Sequence, residues 1–331
     1  MSPADAYDAS KRVTSRPVPL STPWSREMGL QVPIVNAPMG GTAGGALAAA
    51  VSRAGGLGMI GMGSSATAAK LSAELPHVAG LRFGIGLVHW VMMAEPELLE
   101  VALAARPALL SVSFGEDWSW VSRAHDAGVP AAAQVADVAG ARRAADAGVD
   151  VLVARGAEGG GHGEPRVGTL PLLTEVLDAV DVPVLGAGGI ASARGLAAVL
   201  AAGASGAWLG TVFSTCTEAA TSAATRDMLL AASGDDTVTT RVFDVAQQYP
   251  WPTTLPERVL HNDFVGRFDG REDLVGTEAR AELAAAAAAE DYRVAPVNAG
   301  QGVGMVRESR SAAEVIERLC VGAEQLLGRW A

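Results

Sequence analysis

The feature that most constrains the fold of this chain is a regular alternation. Short, continuous apolar runs recur, separated by alanine-rich amphipathic stretches. Eight runs read as strands, near Val32–Ala37, Leu57–Gly61, Phe83–Val88, Leu109–Phe114, Ala131–Val135, Val151–Ala154, Val184–Ala187 and Ala207–Gly210. Unbroken apolar runs of this length suit parallel strands buried on both faces. Between them, Ala139–Ala147 followed by Gly148, and Ala191–Ala202 followed by Gly203, have the pattern of helices closed by glycine C-caps. The alternation predicts an α/β chain folded as a (β/α)8 TIM barrel, with a doubly wound open sheet as the rival. Two observations favour the barrel. The count reaches eight by residue 210, and glycine motifs follow several different strands. An open sheet concentrates them after its first strand, and here that strand leads into Pro38-Met39-Gly40-Gly41 rather than GxGxxG.

The rhythm breaks between about Leu229 and Asp291, a stretch richer in Asp, Thr, Pro and Arg that includes Tyr249-Pro250-Trp251-Pro252. The division expected is a barrel with an N-terminal arm over 1–228, a mainly helical insertion or lid over 229–291, and a return segment with a C-terminal helix over 292–331. Ala281–Glu290 and Ala312–Leu327 read as helices, and residues 1–30 as an irregular arm.

Charge narrows the partners. The 36 acidic residues against 25 basic ones leave a net charge of −11, which argues against nucleic acid or an anionic membrane as the main partner. Two cysteines, Cys216 and Cys320, make no disulfide framework. With no signal-like apolar segment and no stretch of spanning length, a cytoplasmic protein is expected.

Three glycine clusters carry the chemistry. Leu185-Gly186-Ala187-Gly188-Gly189-Ile190 ends the seventh strand, with Ser192 placed to cap the next helix, and Leu209-Gly210-Thr211 ends the eighth. Loops after these two barrel strands commonly bind phosphate through backbone N–H groups, and the Thr211 hydroxyl can donate to a phosphate oxygen. Alternatively, the glycines only make tight turns. After the sixth strand, Glu158-Gly159-Gly160-Gly161-His162-Gly163 brings backbone close to a ligand and sets one imidazole at the barrel mouth. His162 is therefore the candidate catalytic residue, suited to proton transfer near neutral pH. Glu158 reads equally as an orienting carboxylate or a surface charge. Gln134 could bind a cofactor or pack inside the barrel, and His89 and Trp90 could line a pocket or start a helix. Trp118, Trp120, Trp208 and Trp251 read as packing residues. No histidine, cysteine or carboxylate cluster has metal-ligand spacing, so no metal is expected. No GxSxG nucleophile elbow is present.

These residues resemble the nitronate monooxygenases, formerly 2-nitropropane dioxygenases, which are FMN-dependent barrel enzymes. Pro33-Ile34-Val35-Asn36-Ala37-Pro38-Met39 resembles the family's opening strand, whose end lies against the flavin. Glu158–Gly163 resembles its EAGGHxG loop, Gly188-Gly189-Ile190 and Gly210-Thr211-Val212-Phe213 its FMN phosphate loops, and Gly300-Gln301-Gly302-Val303-Gly304 its C-terminal GQxxG segment. Three positions depart from the pattern. Gly86 stands where an asparagine is frequent, Gly159 where alanine is, and Arg155 where glutamine is. The resemblance implies FMN bound by Ala37, Pro38, Met39, Gln134, Gly160, Gly161, Gly188, Gly189, Gly210 and Thr211. It implies oxidation of nitronates or nitroalkanes by O2 to a carbonyl compound and nitrite, with His162 as base or nitro-group binder. A homodimer is left open. A flavin-dependent NAD(P)H enoyl-thioester reductase acting on an acyl-carrier-protein or coenzyme A substrate resembles the same loops. A barrel binding a phosphorylated metabolite without redox chemistry is the alternative from another class.

Overall fold

In the computed structural model, which describes residues 20–329, eight parallel strands close into a barrel. Eleven strands run along the chain: β1 Ile34–Asn36, β2 Gly58–Met62, β3 Phe83–Val88, β4 Leu109–Ser113, β5 Ala131–Val135, β6 Val151–Arg155, β7 Gly161–His162, β8 Val184–Ala187, β9 Gly206–Leu209, β10 Thr237–Thr240 and β11 Glu257–Leu260. The large sheet has the order β1-β9-β8-β6-β5-β4-β3-β2. A parallel bridge between Val35 and Leu57 joins its two edges, with the Leu57 N–H donating to the Ile34 carbonyl at 2.9 Å. The barrel expectation holds, and observed strand limits differ from the expected ones by at most two residues.

Side-chain alternation divides the core in two. Val35, Met59, Leu109, Ala132, Val151, Val153, Leu185 and Trp208 pack inside the barrel. A larger apolar layer lies between the strands and the surrounding helices. Strand period two then places Gln134 on the same face as Ala132, and Arg155 on the same face as Val153. Both reach the interior at the C-terminal end, where β/α barrels carry their sites. At the opposite end, the short helix Pro23–Glu27 sends Trp24 into the interior cluster. Part of the expected N-terminal arm is therefore ordered, and residues 1–19 of it lie outside the described residues.

Helix ends follow from local chemistry. Asp137 caps Val138–Asp146 and Ser192 caps Ala193–Ala201, each side chain accepting a first-turn N–H. Gly148 and Gly203 follow these helices at φ +89° and +103°, where only glycine is free of strain. The final helix, Ala312–Leu327, begins with a Ser311–Glu314 capping box and packs on Ala193–Ala201.

The insertion holds the helices Val242–Gln247, Asp263–Phe268 and Thr277–Ala288 around its own apolar cluster, which includes Phe243, Val259, Phe264 and Leu283. It also contains β10 and β11, two strands not expected from sequence. They form an antiparallel sheet with β7, and Glu257 stands opposite His162 in the register. The histidine loop is thus one strand of the insertion's sheet. The helix Ala223–Ala231 runs through the 228/229 junction.

Candidate active site

At the C-terminal mouth of the barrel lies a cavity of about 950 Å3. Its wall brings together every residue expected at the site: Ala37, Pro38, Met39, Gln134, Gly160, Gly161, His162, Gly188, Gly189, Gly210 and Thr211.

The glycine loops owe their shape to close packing. A Cβ at Gly160 would lie 2.6 Å from the Gly300 nitrogen, and one at Gly302 would lie 2.6 Å from the Gly189 carbonyl oxygen. The segment Gly300–Gly304 therefore fits flat against both the histidine loop and the loop after β8. Its hydrogen bonds tie the histidine loop to the segment after β9: the Gly300 N–H donates to Thr211 Oγ1 at 3.0 Å and the Gln301 N–H to the Glu158 carbonyl at 2.9 Å. Glu158 neither contacts His162 nor stands free on the surface. It accepts the Thr169 N–H at 2.9 Å and the Thr169 hydroxyl at 2.8 Å, holding the start of helix Thr169–Leu177 beneath the loop.

A backbone cradle lies on the β8 and β9 side. Gly188 and Gly189 have φ of +110° and +66°. Among the described residues, the N–H groups of Gly188, Gly189, Ile190 and Gly210 donate to no protein acceptor. Thr211 Oγ1 accepts from Gly300, which leaves its own hydroxyl hydrogen available. Unpaired donors gathered at a wall free of side chains fit the phosphate of a flavin mononucleotide. The glycine face at Gly160 and Gly161 fits the approach of a flat ring.

Arg155 is buried without a carboxylate partner. Its Nη2 donates to the carbonyls of Gly159, Gly160 and Gly161 at 2.8, 3.1 and 3.0 Å. Burial and the nearby Arg258 charge lower it to about 10, against the opposing charge of Glu158, so it remains a cation at neutral pH. At Gly86 a Cβ would meet the Pro38 ring at 2.2 Å. The place where the family pattern has asparagine is thus filled by proline, and no side chain fits there.

His162 has partners that sequence did not reveal. Its Nε2 lies 2.9 and 3.1 Å from the two carboxylate oxygens of Asp244. The Trp251 ring stacks on the imidazole with centroids 3.6 Å apart and planes 6° from parallel, and its Nε1 donates to Ser64 Oγ. Trp251 packs in the buried core, as expected, and also lines the cavity beside His162. Trp208 packs inside the barrel as expected and also reaches the cavity, whereas Trp120 is buried in the outer core. His89 and Trp90 begin the helix His89–Ala94, and Trp90 lies behind Trp251 in an edge-on contact. Glu257, buried beside Asp244, is pushed up to about 8 by burial and by the Asp244 charge, so it keeps its proton at neutral pH. His162, Asp244 and Glu257 bring ligand atoms within 4.8 Å of one another, and are the residues that could hold a cation. Sequence spacing hid this cluster, because the fold joins positions 162, 244 and 257.

No helix among the described residues is long and apolar enough to cross a membrane. The family described as Nitronate monooxygenase matches residues 22–84 and 86–322. A putative monooxygenase of Mycobacterium tuberculosis is 38% identical over 234 residues, covering 66% of this chain and 60% of that protein. The chain thus spans about 60% of that relative's length. FabK from Thermotoga maritima superposes with a TM-score of 0.83 at 26% identity, covering 94% of this chain and 98% of that one. Nitroalkane oxidase from Streptomyces ansochromogenes gives 0.81 at 28% identity, covering 93% and 100%.

Proposed function

The chain belongs to the nitronate monooxygenase family and is an oxidoreductase, and from that premise we propose that it uses FMN to oxidise alkyl nitronates with O2 to a carbonyl compound and nitrite. One observation carries the proposal. The unpaired N–H groups of Gly188, Gly189, Ile190 and Gly210 and the imidazole of His162 share one cavity. FMN, when bound, supplies the electron-accepting chemistry. Gly188, Gly189, Gly210 and Thr211 would hold its phosphate, and Ala37, Pro38, Met39, Gln134, Gly160 and Gly161 would border it.

The chain's own residues do the rest. His162 binds the anionic nitro group or, with a neutral nitroalkane, takes the proton from the carbon beside it. Trp251, stacked on the ring, keeps water from one face and holds its plane. Arg155 places positive charge in the wall, where negative charge on a bound ligand is stabilised.

His162→Ala is expected to retain bound flavin and to lose turnover by at least about 100-fold, the scale of a general base. Normal turnover in that variant would remove His162 from the chemistry. A second reading, the NAD(P)H-dependent enoyl-thioester reductase, is supported by the superposition on FabK from Thermotoga maritima at a TM-score of 0.83. Anaerobic mixing with NADH or NADPH separates the two. An unchanged flavin spectrum supports the nitronate oxidase, and rapid bleaching supports the reductase.

A further inference from the structure

We infer that Asp244 is a positioning residue that holds the proton of neutral His162 on Nε2 and leaves Nδ1 as the atom that exchanges a proton with substrate. The inference rests on the reading of His162 as the proton-handling group and assigns its tautomer and its partner. Both Asp244 oxygens face Nε2, at 2.9 and 3.1 Å, and the two side chains are only 7% and 13% exposed. An ionised carboxylate can only accept a hydrogen bond, so Nε2 must carry the hydrogen. Neutral imidazole has one N–H, so Nδ1 keeps its lone pair. Among the described residues Nδ1 has no hydrogen-bond partner, and it is not sealed from solvent.

Three further contacts fix the arrangement. The His162 backbone is pinned by its register with Glu257, and the ring is pinned by Trp251. Asp244 lies in the first turn of Val242–Gln247, where Val242, Phe243 and Ala246 anchor the helix in the insertion's core. When Nδ1 receives a proton from the carbon beside the nitro group, the C–H electron pair remains on the resulting nitronate. The imidazolium that forms is then stabilised by Asp244.

The test combines 15N spectroscopy of the holoenzyme with kinetics on two substrates. In the wild-type protein at neutral pH, His162 should show a pyridine-like Nδ1 and a pyrrole-like Nε2, and Asp244→Asn should lose that preference. The same variant should keep its flavin. It should fall by roughly 100-fold or more on a neutral nitroalkane, where the proton must be removed, and by far less on the preformed nitronate. A proton on Nδ1 in the wild type would overturn the assignment, as would equal losses on both substrates. If the wild-type enzyme turned over neither substrate, the proposed function would fail, while the nitrogen shifts would still decide the role of Asp244.

Discussion

Arg155 and Glu257 show how burial sets the chemistry of single side chains at this mouth. One Arg155 nitrogen donates to three loop carbonyls, of which that of Gly159 is buried, so Arg155→Met would leave this buried acceptor unpaired. A loss of roughly 1–3 kcal/mol in denaturant unfolding is expected. Glu257 acts through pH. Its folded carboxyl holds a proton up to about pH 8, while the unfolded one releases it near 4.5. Its contribution to stability is therefore full below pH 4.5 and is drawn down as pH rises to about 8, by at most about 1.4 kcal/mol per pH unit. Glu257→Gln should flatten that dependence, and a urea midpoint that falls equally in both proteins between pH 5 and pH 8 would contradict it. At this scale the sequence shows one half of the site. His162 stood out because five glycines surround it between Ala154 and Gly163. Asp244 and Glu257 did not, because they sit in ordinary amphipathic segments and meet His162 only through tertiary pairing.

Among the elements, the loops were more legible than the strand that joins them to the insertion. Glycine spacing located the cradle because no other residue accepts the φ of +110° at Gly188 without strain. Gly189, at φ +66°, lies in a region that aspartate enters only occasionally, and an added Cβ would press on the Glu158 Cβ at 3.0 Å. Gly189→Asp is expected to fold with reduced stability and to purify without flavin, its carboxylate opposing the phosphate. Normal flavin content would move the phosphate site elsewhere. Ser192→Ala removes the cap of Ala193–Ala201 and should cost about 1 kcal/mol in thermal unfolding. By contrast, β7 is two residues of a glycine run, too short and too free of β-branched residues to read as a strand. β10 and β11, four residues each, lie in a stretch whose Asp, Thr and Pro content masked them.

The whole molecule is a closed barrel with a second apolar core standing on its mouth. Alternation alone made the barrel readable, since eight buried parallel strands need both an inner and an outer apolar layer. What alternation cannot reveal is where an insertion folds back, because that depends on pairing across the chain. Cys216 and Cys320 test the outer layer. Both are buried, and burial pushes each thiol up to about 12. Neither should react with a thiol reagent in the native state, and both should react on unfolding.

The pairing of β7 with β11 divides ownership of the imidazole between two stretches of chain. The barrel owns His162 and the cradle, while residues 229–291 own Asp244, Trp251 and Glu257. Evolution, or a designer, can therefore rewrite the environment of that nitrogen by exchanging one contiguous block, leaving the cofactor cradle untouched. A chimera carrying a relative's block on this barrel is expected to keep the flavin proposed for the cradle and to change the proton chemistry proposed for His162. Novelty in such a family would then be expected to collect in the insertion rather than in the barrel strands.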